Sequence, residues 1–378
     1  MTSLLLYCRA GFEGECAAEI QAVAGALGVS GYCRTRPGSA FVEFVVPEPG
    51  AAWRLAQELP WNSLVFARQM VAARHLPPLP IADRITPLLA ILAGQCVSAI
   101  SVESADTNEA KELLTFARQF SKPLASALRG KGLLRESDVA LPHLHLLFLD
   151  STDAFIGLAD PRNSSPWFMG IPRLRFPRGA PSRSALKLEE AFYFFLGDER
   201  EKRLCPGMCA VDLGAAPGGW TRLLVNHHLH VTAVDNGPLD PGLYDTGLVD
   251  HRREDGFGYR PAKPVDWLVC DLLEQPLRVA RLIADWATAG ACRAAMFNLK
   301  LPMKRRWQEV ERCRELIEER LTAAHLRHRL ALRQLYHDRE EVTGYLALSG
   351  FPGHPNVLNS PRHHSKNLVV DYNFKELI

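Results

Sequence analysis

The chain has 378 residues, of which 47% are hydrophobic and 23% are charged. That composition is ordinary for a folded protein of two or three domains, and it disfavours fibrous repeats and extended disorder. The 44 basic and 42 acidic side chains leave a formal net charge of +2. A protein that is basic all over is therefore excluded, and a polyanionic partner would have to be bound by locally clustered charge.

The cysteines and the N-terminal residues predict a cytoplasmic protein. The nine cysteines form no Cys-x-x-Cys pair, so we expect reduced thiols and neither a disulfide framework nor a metal site. The first residues lack the basic segment of a secretory signal. Residues 85–102 carry no charge over about the minimum length that spans a bilayer. Pro87 and several polar residues interrupt them, so we expect a helix followed by a strand rather than a membrane span.

The first 160 residues predict two small α+β units. In the first unit, residues 1–70, we expect strands at 4–8 and 41–46 and a helix at 13–27, where apolar residues recur at helical spacing. The second unit spans residues 80–160. Its expected elements are a helix near its start, a second helix at 109–129, and strands at 97–102, 143–149 and 154–158.

Two stretches of the chain carry basic residues without intervening acids. The first contains Arg118, Lys122, Arg129, Lys131 and Arg135; taken alone, such a run is more often a solvated helix face than a binding surface. The second is a basic linker, residues 161–184, whose arginines suit phosphate contacts: Arg173, Arg175, Arg178 and Arg183. Trp167 and Phe168 could stack on bases or pin the linker to a domain surface, and the sequence leaves both interpretations open.

Residues 185–349 alternate helices and strands, a pattern that predicts a doubly wound α/β domain. Apolar residues at helical spacing mark a helix around 188–196. The other expected elements are strands at 208–213, 231–234, 265–270, 294–299, 330–336 and 342–348, with helices from about 221 and at 307–321. No role is predicted for the C-terminal tail, residues 350–378.

A glycine-rich loop, residues 214–219, lies between a predicted strand and a predicted helix. Asp235 follows Gly214 by 21 residues, a spacing at which a carboxylate can accept hydrogen bonds from ribose hydroxyls. A dinucleotide site would need Gly-x-Gly-x-x-Gly for the pyrophosphate, but the second glycine is absent here and Pro217 occupies the bend. The loop therefore favours a nucleoside ligand without a diphosphate, such as S-adenosylmethionine, over a nicotinamide dinucleotide.

Further polar residues follow predicted strands, at the edge where open α/β sheets bind their ligands. Asp255 could accept from an adenine amino group, and Asp271 ends a buried strand. Taken alone, such an aspartate is more often a helix N-cap. Lys300 ends the next strand; a lysine crowded by a ligand cation there would have a lowered pKa and could act as a base, although a lone lysine is more often an ordinary surface residue.

Taken together and in order, these motifs resemble the ribose 2′-O-methyltransferases that carry a Lys-Asp-Lys-Glu tetrad. Within that family the chain is most similar to the bacterial members that methylate a cytidine ribose in large-subunit (23S) ribosomal RNA. The motifs of the C-terminal half are residues 184–190, 212–220, 234–238, 270–271, 298–304 and 336–342. Those of the N-terminal half are residues 6–9, 11–13, 83–87, 106–109 and 169–173.

The resemblance implies an α/β protein in which a ferredoxin-like unit and a THUMP-type RNA-binding domain precede a Rossmann-like, S-adenosylmethionine-dependent methyltransferase domain. It also implies ribosomal RNA as the partner, free or in precursor particles. Carried over by position, the tetrad is Lys187, Asp271, Lys300 and Glu341, with Lys300 as proton acceptor. The implied S-adenosylmethionine site comprises Ser184, Ala216, Pro217, Gly218, Gly219, Asp235, Asp255 and Asp271. Lys304 lies near Lys300 and Glu340 adjoins Glu341, so the sequence leaves open which member of each pair takes part.

Two rival functions stay open on the sequence alone. One is a methyltransferase that modifies an RNA base. By family resemblance, an enzyme that methylates an amino nitrogen would carry two prolines after the acidic residue at the strand end. Here Asp271 is followed by Leu272, Leu273 and Glu274. A cytosine C5 enzyme needs a cysteine nucleophile, and Cys270 is expected to point away from Asp271 on its strand. The other rival is a non-catalytic RNA-binding assembly factor.

Overall fold

The computed structural model of the chain describes residues 2–350 and contains two seven-stranded sheets. The predicted tail, 350–378, lies outside the described residues from residue 351 onward. The elements of the N-terminal half are β1 (Ser3–Tyr7), α1 (Glu13–Ala26), β2 (Tyr32–Thr35), β3 (Phe41–Val45), α2 (Ala51–Glu58), β4 (Gln69–His75), α3 (Ile85–Ile91), β5 (Ala99–Ser104), α4 (Lys111–Gly130), β6 (His143–Phe148) and β7 (Ala154–Ala159).

The first sheet has the strand order β2-β3-β1-β4-β7-β6-β5 and is antiparallel except for the β5–β6 pair. Strand β4 pairs with β1 on one side and with β7 on the other, so the two predicted α+β units share one sheet. The predicted boundary at residue 70 falls inside β4. Strand β4 was not predicted, because its fully buried start shows no alternation of apolar and polar residues.

The elements of the C-terminal half are α5 (Ala185–Ala191), α6 (Arg200–Arg203), β8 (Cys209–Leu213), α7 (Gly219–Asn226), β9 (His230–Val234), β10 (Val249–Arg252), β11 (Val265–Cys270), α8 (Pro276–Thr288), β12 (Cys292–Lys300), α9 (Arg306–Ala323), β13 (His328–Arg333) and β14 (Glu341–Leu348). A π-helical turn, Phe192–Leu196, continues α5. Neither β10 nor α8 was predicted from the sequence. In the described part of the chain, no helix combines the length and the apolar character needed to cross a membrane.

The second sheet has the strand order β10-β9-β8-β11-β12-β14-β13. Strands β8 to β12 run parallel, and β14 is antiparallel to both β12 and β13. The chain order reverses between β8 and β11, where the connections leave toward opposite sides. In open α/β sheets the carboxyl ends of the strands at such a reversal form the ligand crevice.

One apolar core joins the two halves of the chain. Phe66 of the first half contacts Trp307 of α9, with ring centroids 6.2 Å apart. The buried Arg333 guanidinium donates to the carbonyls of Trp61 and Leu64, and the Gln334 N–H donates to the Val65 carbonyl. These bonds draw the chain away from the sheet, so β13 ends at Arg333 rather than at residue 336 as predicted.

The β12–β14 pair leaves no room for a side chain at Gly344. Phe297 lies opposite Gly344 in the register, and a Cβ on Gly344 would lie 2.3 Å from Phe297 Cζ. We expect Gly344→Ala to lower the free energy of unfolding by about 1–3 kcal/mol, because a packed core must shift to accept the methyl group. Urea unfolding followed by circular dichroism measures this.

Gly25→Ala is the matched control for that substitution. Gly25 lies inside α1, and an added Cβ there would meet nothing within 4 Å. This change should raise the free energy of unfolding by about 0.5–1 kcal/mol, since alanine is the better helix former. Equal unfolding midpoints for the two variants would contradict the close packing of Gly344 against Phe297.

A carboxyl group is buried in β8, the central strand of the parallel part of the sheet. Asp212 is 1% exposed, and one of its oxygens accepts from the Thr221 hydroxyl at 2.6 Å. Burial raises the pKa of Asp212 from 3.8 to about 7. The folded protein therefore binds a proton that the unfolded chain releases at lower pH, and the associated stability is present below about pH 4 and lost as the pH rises to about 7.

Asp212→Asn removes this titration. We expect the free energy of unfolding of the wild-type protein to fall relative to that of the variant between about pH 4 and about pH 7, by up to about 1.4 kcal/mol per pH unit. Urea titrations at several pH values measure the difference. Parallel pH profiles for the two proteins would show that Asp212 has an ordinary pKa.

Candidate active site

Four charged side chains meet at the carboxyl edge of the second sheet. Lys300, the last residue of β12, lies opposite Glu341, the first residue of β14, and their side chains form an ion pair. Lys300 Nζ also lies 2.5 Å from Oδ1 of Asp271, which directly follows β11. Lys187, on α5, contacts the other oxygen of Glu341 and lies 3.7 Å from Asp271 Oδ2. We call these four residues the tetrad.

The neighbours that the sequence could not exclude lie elsewhere. The Glu340 side chain is 63% exposed and pairs with Arg306 at 2.6 Å. Lys304 is exposed in the loop after β12. Glu340 lies in the bend before β14 and contacts Arg306, whereas Glu341 is the first residue of the strand and contacts Lys300. The geometry therefore brings Glu341 and Lys300 into the cluster and leaves both of their neighbours outside it.

Two carboxylates determine the electrostatics of Lys300 in the protein alone. Burial lowers the pKa of Lys300, but the charges of Asp271 and Glu341 raise it by more, and the net pKa lies above the ordinary value. The lowered pKa expected from the sequence belongs to a lysine beside a ligand cation, and it stays a prediction. The contact of two carboxylates with one ammonium group is a proximity that a one-dimensional motif does not reveal.

The glycine-rich loop lies beside the tetrad. The Asp235 carboxylate, after β9, accepts from the N–H groups of Ala216 and Gly237 at 3.0 Å and 2.7 Å, and so holds the loop against β9. Gly218 has φ = 108° and precedes α7, a conformation that side-chain-bearing residues rarely adopt. Pro217 lies between Ala216 and Gly218 in the same loop.

The remaining residues predicted for the nucleoside site border this loop on two sides. Ser184 contacts it closely, because a Cβ on Gly219 would lie 2.6 Å from Ser184 Oγ. The Ser184 carbonyl accepts from the Trp220 indole at 3.0 Å. Asp255 is exposed, and one of its carboxylate oxygens accepts from the Phe257 N–H at 3.1 Å.

The donors and acceptors at this edge suit a nucleoside sulfonium. The loop 214–219 contains no lysine or arginine, and the carboxylates of Asp235, Asp255 and Asp271 follow strands or loops at the same end of the sheet. Carboxylates accept from ribose hydroxyls and from an adenine amino group, and they attract a cation; a diphosphate would be repelled. The residues present therefore fit S-adenosylmethionine.

A cleft of about 1000 Å³ opens between the two halves of the chain and reaches the tetrad. Lys187 and Glu341 line it. Its other acidic lining residues are Asp106 and Glu109, and its other cationic ones are Arg9, Lys111, Arg173, Arg183 and Arg339. The cations outnumber the acids, so the cleft favours a polyanion.

The basic linker contributes only in part to this cleft. Of the four arginines expected to contact phosphate, Arg173 and Arg183 line the cleft, whereas Arg175 and Arg178 are exposed outside it. Trp167 packs against Phe194, with ring centroids 6.5 Å apart. That contact favours the interpretation in which Trp167 pins the linker to the C-terminal half.

Several residues that support the tetrad were not identified from the sequence. Asn298 Nδ2 donates to Asp271 Oδ1 at 3.0 Å, and Thr343 and Asp338 lie behind Asn298. The signal that could have identified Asn298 is its position two residues before Lys300, on the same face of β12. Asp338 lies within the motif 336–342, but that motif assigned it no role, and Thr343 lies just beyond the motif. The pairing of β12 with β14 brings Thr343 next to Asn298.

Three family models match consecutive parts of the chain. Residues 1–71 match the RlmM ferredoxin-like domain, and residues 83–160 match the N-terminal model of ribosomal RNA large subunit methyltransferase M. Residues 180–281 match the FtsJ-like methyltransferase model. These matches confirm the predicted ferredoxin-like unit and the Rossmann-like methyltransferase domain with its cofactor S-adenosylmethionine. The THUMP designation of residues 80–160 stays a prediction.

Curated relatives match over nearly their whole length. Proteins named ribosomal RNA large subunit methyltransferase M from Methylococcus capsulatus, Azotobacter vinelandii and Pseudomonas aeruginosa are 59%, 54% and 51% identical to this chain. The alignments cover 92% of this chain in each case, and 98%, 98% and 99% of the three relatives. This degree of identity shows that the chain belongs to the family of ribosomal RNA large subunit methyltransferase M.

Proposed function

We propose that the chain transfers a methyl group from S-adenosylmethionine to the ribose 2′-oxygen of a cytidine in large-subunit (23S) ribosomal RNA. The proposed substrate is this RNA, free or in a precursor particle, and the proposed location is the cytoplasm. The observation that carries the proposal is the meeting of Lys187, Asp271, Lys300 and Glu341 at a cationic cleft. The names of the relatives support the RNA class.

S-Adenosylmethionine, when bound, supplies a methyl group activated by its sulfonium centre. A ribose hydroxyl attacks poorly until its proton is being removed, and Lys300 Nζ is the group assigned to take that proton. Asp271 and Glu341 hold Nζ from two sides, which fixes its direction. Lys187 and Glu341 line the cleft and orient the hydroxyl, so that much of the acceleration comes from alignment.

Lys300 must be neutral to accept a proton. Its contacts with two carboxylates keep it protonated in the protein alone. The pKa of a lysine falls when a further positive charge, such as that of a sulfonium, lies beside it, because like charges repel. The tetrad itself has two positive and two negative groups, so an added positive charge is not compensated by the tetrad and favours loss of the lysine proton.

A base-modifying reaction is less well supported by the site. Attack at cytosine C5 needs a cysteine thiolate. Cys270 is 0% exposed, and burial raises its pKa to about 12. It therefore stays a buried thiol, whereas the tetrad lies open to the cleft.

Lys300→Ala tests the assignment of the proton acceptor. We expect methyl transfer to 23S ribosomal RNA to fall by about 10²–10⁴-fold at saturating RNA, because removal of a general base costs about this much. Binding of S-adenosylmethionine, measured by calorimetry, should persist. Mass spectrometry of the nucleosides identifies the methylated atom.

Lys304→Ala is the matched control, since it removes a lysine four residues away that lies outside the tetrad. It should retain the wild-type rate to within about threefold, whereas a general base contributes at least about a hundredfold. Undiminished turnover in Lys300→Ala would refute the assignment. Base-methylated product would favour the base-modifying rival, and wild-type protein that binds RNA without methylating it would favour the assembly factor.

The RNA is proposed to continue from the cleft along α4. Lys111 lines the cleft, and Arg118, Lys122 and Arg129 follow it at intervals of seven, four and seven residues. These intervals are close to whole helical turns, so the four cations form one stripe on α4. Arg118 and Lys122 are exposed, and Arg129 pairs with Glu136.

The double variant Arg118→Ala/Lys122→Ala should bind ribosomal RNA more weakly and with a weaker dependence on salt. Each lost phosphate contact reduces the slope of log affinity against log salt concentration by about 0.7–0.9. Filter binding across a range of salt concentrations measures both effects, and the turnover at saturating RNA should be unchanged.

The matched control is Lys202→Ala/Lys263→Ala, which removes two exposed lysines outside the cleft and α4. Equal slopes for the two double variants would argue against the stripe on α4.

A further inference from the structure

A chain of buried polar groups runs behind the tetrad. Asn298, Thr343 and Asp338 are each 0% exposed. Asn298 Nδ2 donates to Asp271 Oδ1 at 3.0 Å, and Thr343 Oγ1 lies 2.8 Å from Asn298 Oδ1. Thr343 Oγ1 also lies 3.1 Å and 3.0 Å from the two carboxyl oxygens of Asp338. The Leu335 N–H donates to Asp338 Oδ2 at 2.9 Å.

The direction of these hydrogen bonds follows from a count of donors. Asp271 contacts two ammonium groups and is a carboxylate, so the Asn298 group facing it must be the amide NH₂. The Asn298 oxygen therefore faces Thr343 and accepts its single hydroxyl proton. Thr343 then has no proton left for Asp338. Two oxygens about 3 Å apart with no proton between them would repel, so Asp338 must supply one.

We propose that Asp338 is a neutral carboxylic acid at neutral pH and donates a hydrogen bond to Thr343, which through Asn298 holds Asp271 in place beside Lys300. Asn298, Thr343 and Asp338 are then positioning residues, since none of them belongs to the tetrad. The consequence for catalysis rests on the proposed function, whereas the protonation of Asp338 is a property of the folded protein alone.

The surroundings of Asp338 favour the neutral form. Burial raises its pKa well above the ordinary value, and the nearby charge of Glu341 raises it further. The Leu335 N–H lowers the pKa, the charge of Glu190 raises it, and the charge of Lys187 lowers it. The raising contributions prevail. These groups come from β14, from α5 and from the loop that carries Asp338 itself.

The direction of the hydrogen bonds from Asp338 to Asp271 requires that Asp338 is not ionised. An ionised Asp338 would accept the single hydrogen bond that the Thr343 hydroxyl can donate, and Asn298 Oδ1 would lose its donor. The amide could then turn over and present its oxygen to Asp271, which would repel the carboxylate. With Asp338 neutral, Thr343 Oγ1 and Asn298 Oδ1 each accept one hydrogen bond, and Asp271 keeps one fixed N–H donor and its contact with Lys300.

Three substitutions separate this proposal from a merely structural role. Asp338→Asn replaces the neutral acid with a group of the same shape whose NH₂ can donate to Thr343 while its oxygen accepts from Leu335. Its kcat for ribosomal RNA methylation should stay within about threefold of the wild-type value.

Thr343→Val removes the hydroxyl and should lower kcat at least about tenfold, with the KM for S-adenosylmethionine unchanged. Thr343→Ser should restore kcat to within about threefold. These expectations follow from loss or retention of one oriented contact to Asp271.

Two kinetic outcomes would overturn the proposal. If Asp338→Asn loses as much activity as Thr343→Val, Asp338 acts as an ionised acceptor. If Thr343→Val keeps the wild-type kcat, the chain of hydrogen bonds does not position Asp271. Circular dichroism confirms the fold of each variant before the comparison.

Infrared difference spectroscopy tests the protonation without any turnover. At neutral pH, the spectrum of the wild-type protein minus that of Asp338→Asn should contain the carbonyl band of a neutral carboxylic acid. A difference spectrum with a carboxylate band in its place overturns the proposal. A wild-type protein that shows the acid band but transfers no methyl group to RNA would refute the proposed function and leave the protonation of Asp338 standing.

Discussion

The pairing of β12 with β14 is the constraint on which the site depends. Its register places Lys300 opposite Glu341, and the adjacent end of β11 adds Asp271. The same pairing brings Asn298 next to Thr343. Two ammonium groups and two carboxylates then balance in charge, which makes their partial burial tolerable, because buried charges are costly unless they are paired.

The shared core of the two halves gives this cluster its access to a large substrate. Phe66 and Trp307 pack together across the junction, and Arg333 donates to two carbonyls of the N-terminal half. The halves therefore enclose a cleft with Lys187 and Glu341 in its wall. Cations from both halves and from the linker line it, an arrangement that concentrates positive field although the whole chain is nearly neutral.

Much of the fold followed from the sequence, because periodicity is a local property. The strand 265–270 was predicted to the residue, and β12 and α9 were predicted to within two residues at each end. The Rossmann-like and ferredoxin-like parts followed from ordered motifs. Strand β4 did not, since Gln69–His75 lacks alternation, and the continuous sheet that it creates was not foreseen.

Some features of the site also followed from local motifs, whereas others required the fold. A motif names Lys300 and Asp271, but only the fold shows that Lys300 contacts two carboxylates, which raise its pKa in the protein alone. The choice of Glu341 over Glu340 required the strand register. Asn298, Thr343 and Asp338 are far from Asp271 in the chain, so no local pattern could join them into one network.

Nucleoside mapping of large-subunit ribosomal RNA from cells that lack the protein tests the proposed ribose methylation most directly. We expect one cytidine to lose its 2′-O-methyl group and to regain it when the gene for this chain is returned. An unchanged set of ribose methylations, or the loss of a base methylation instead, would contradict it.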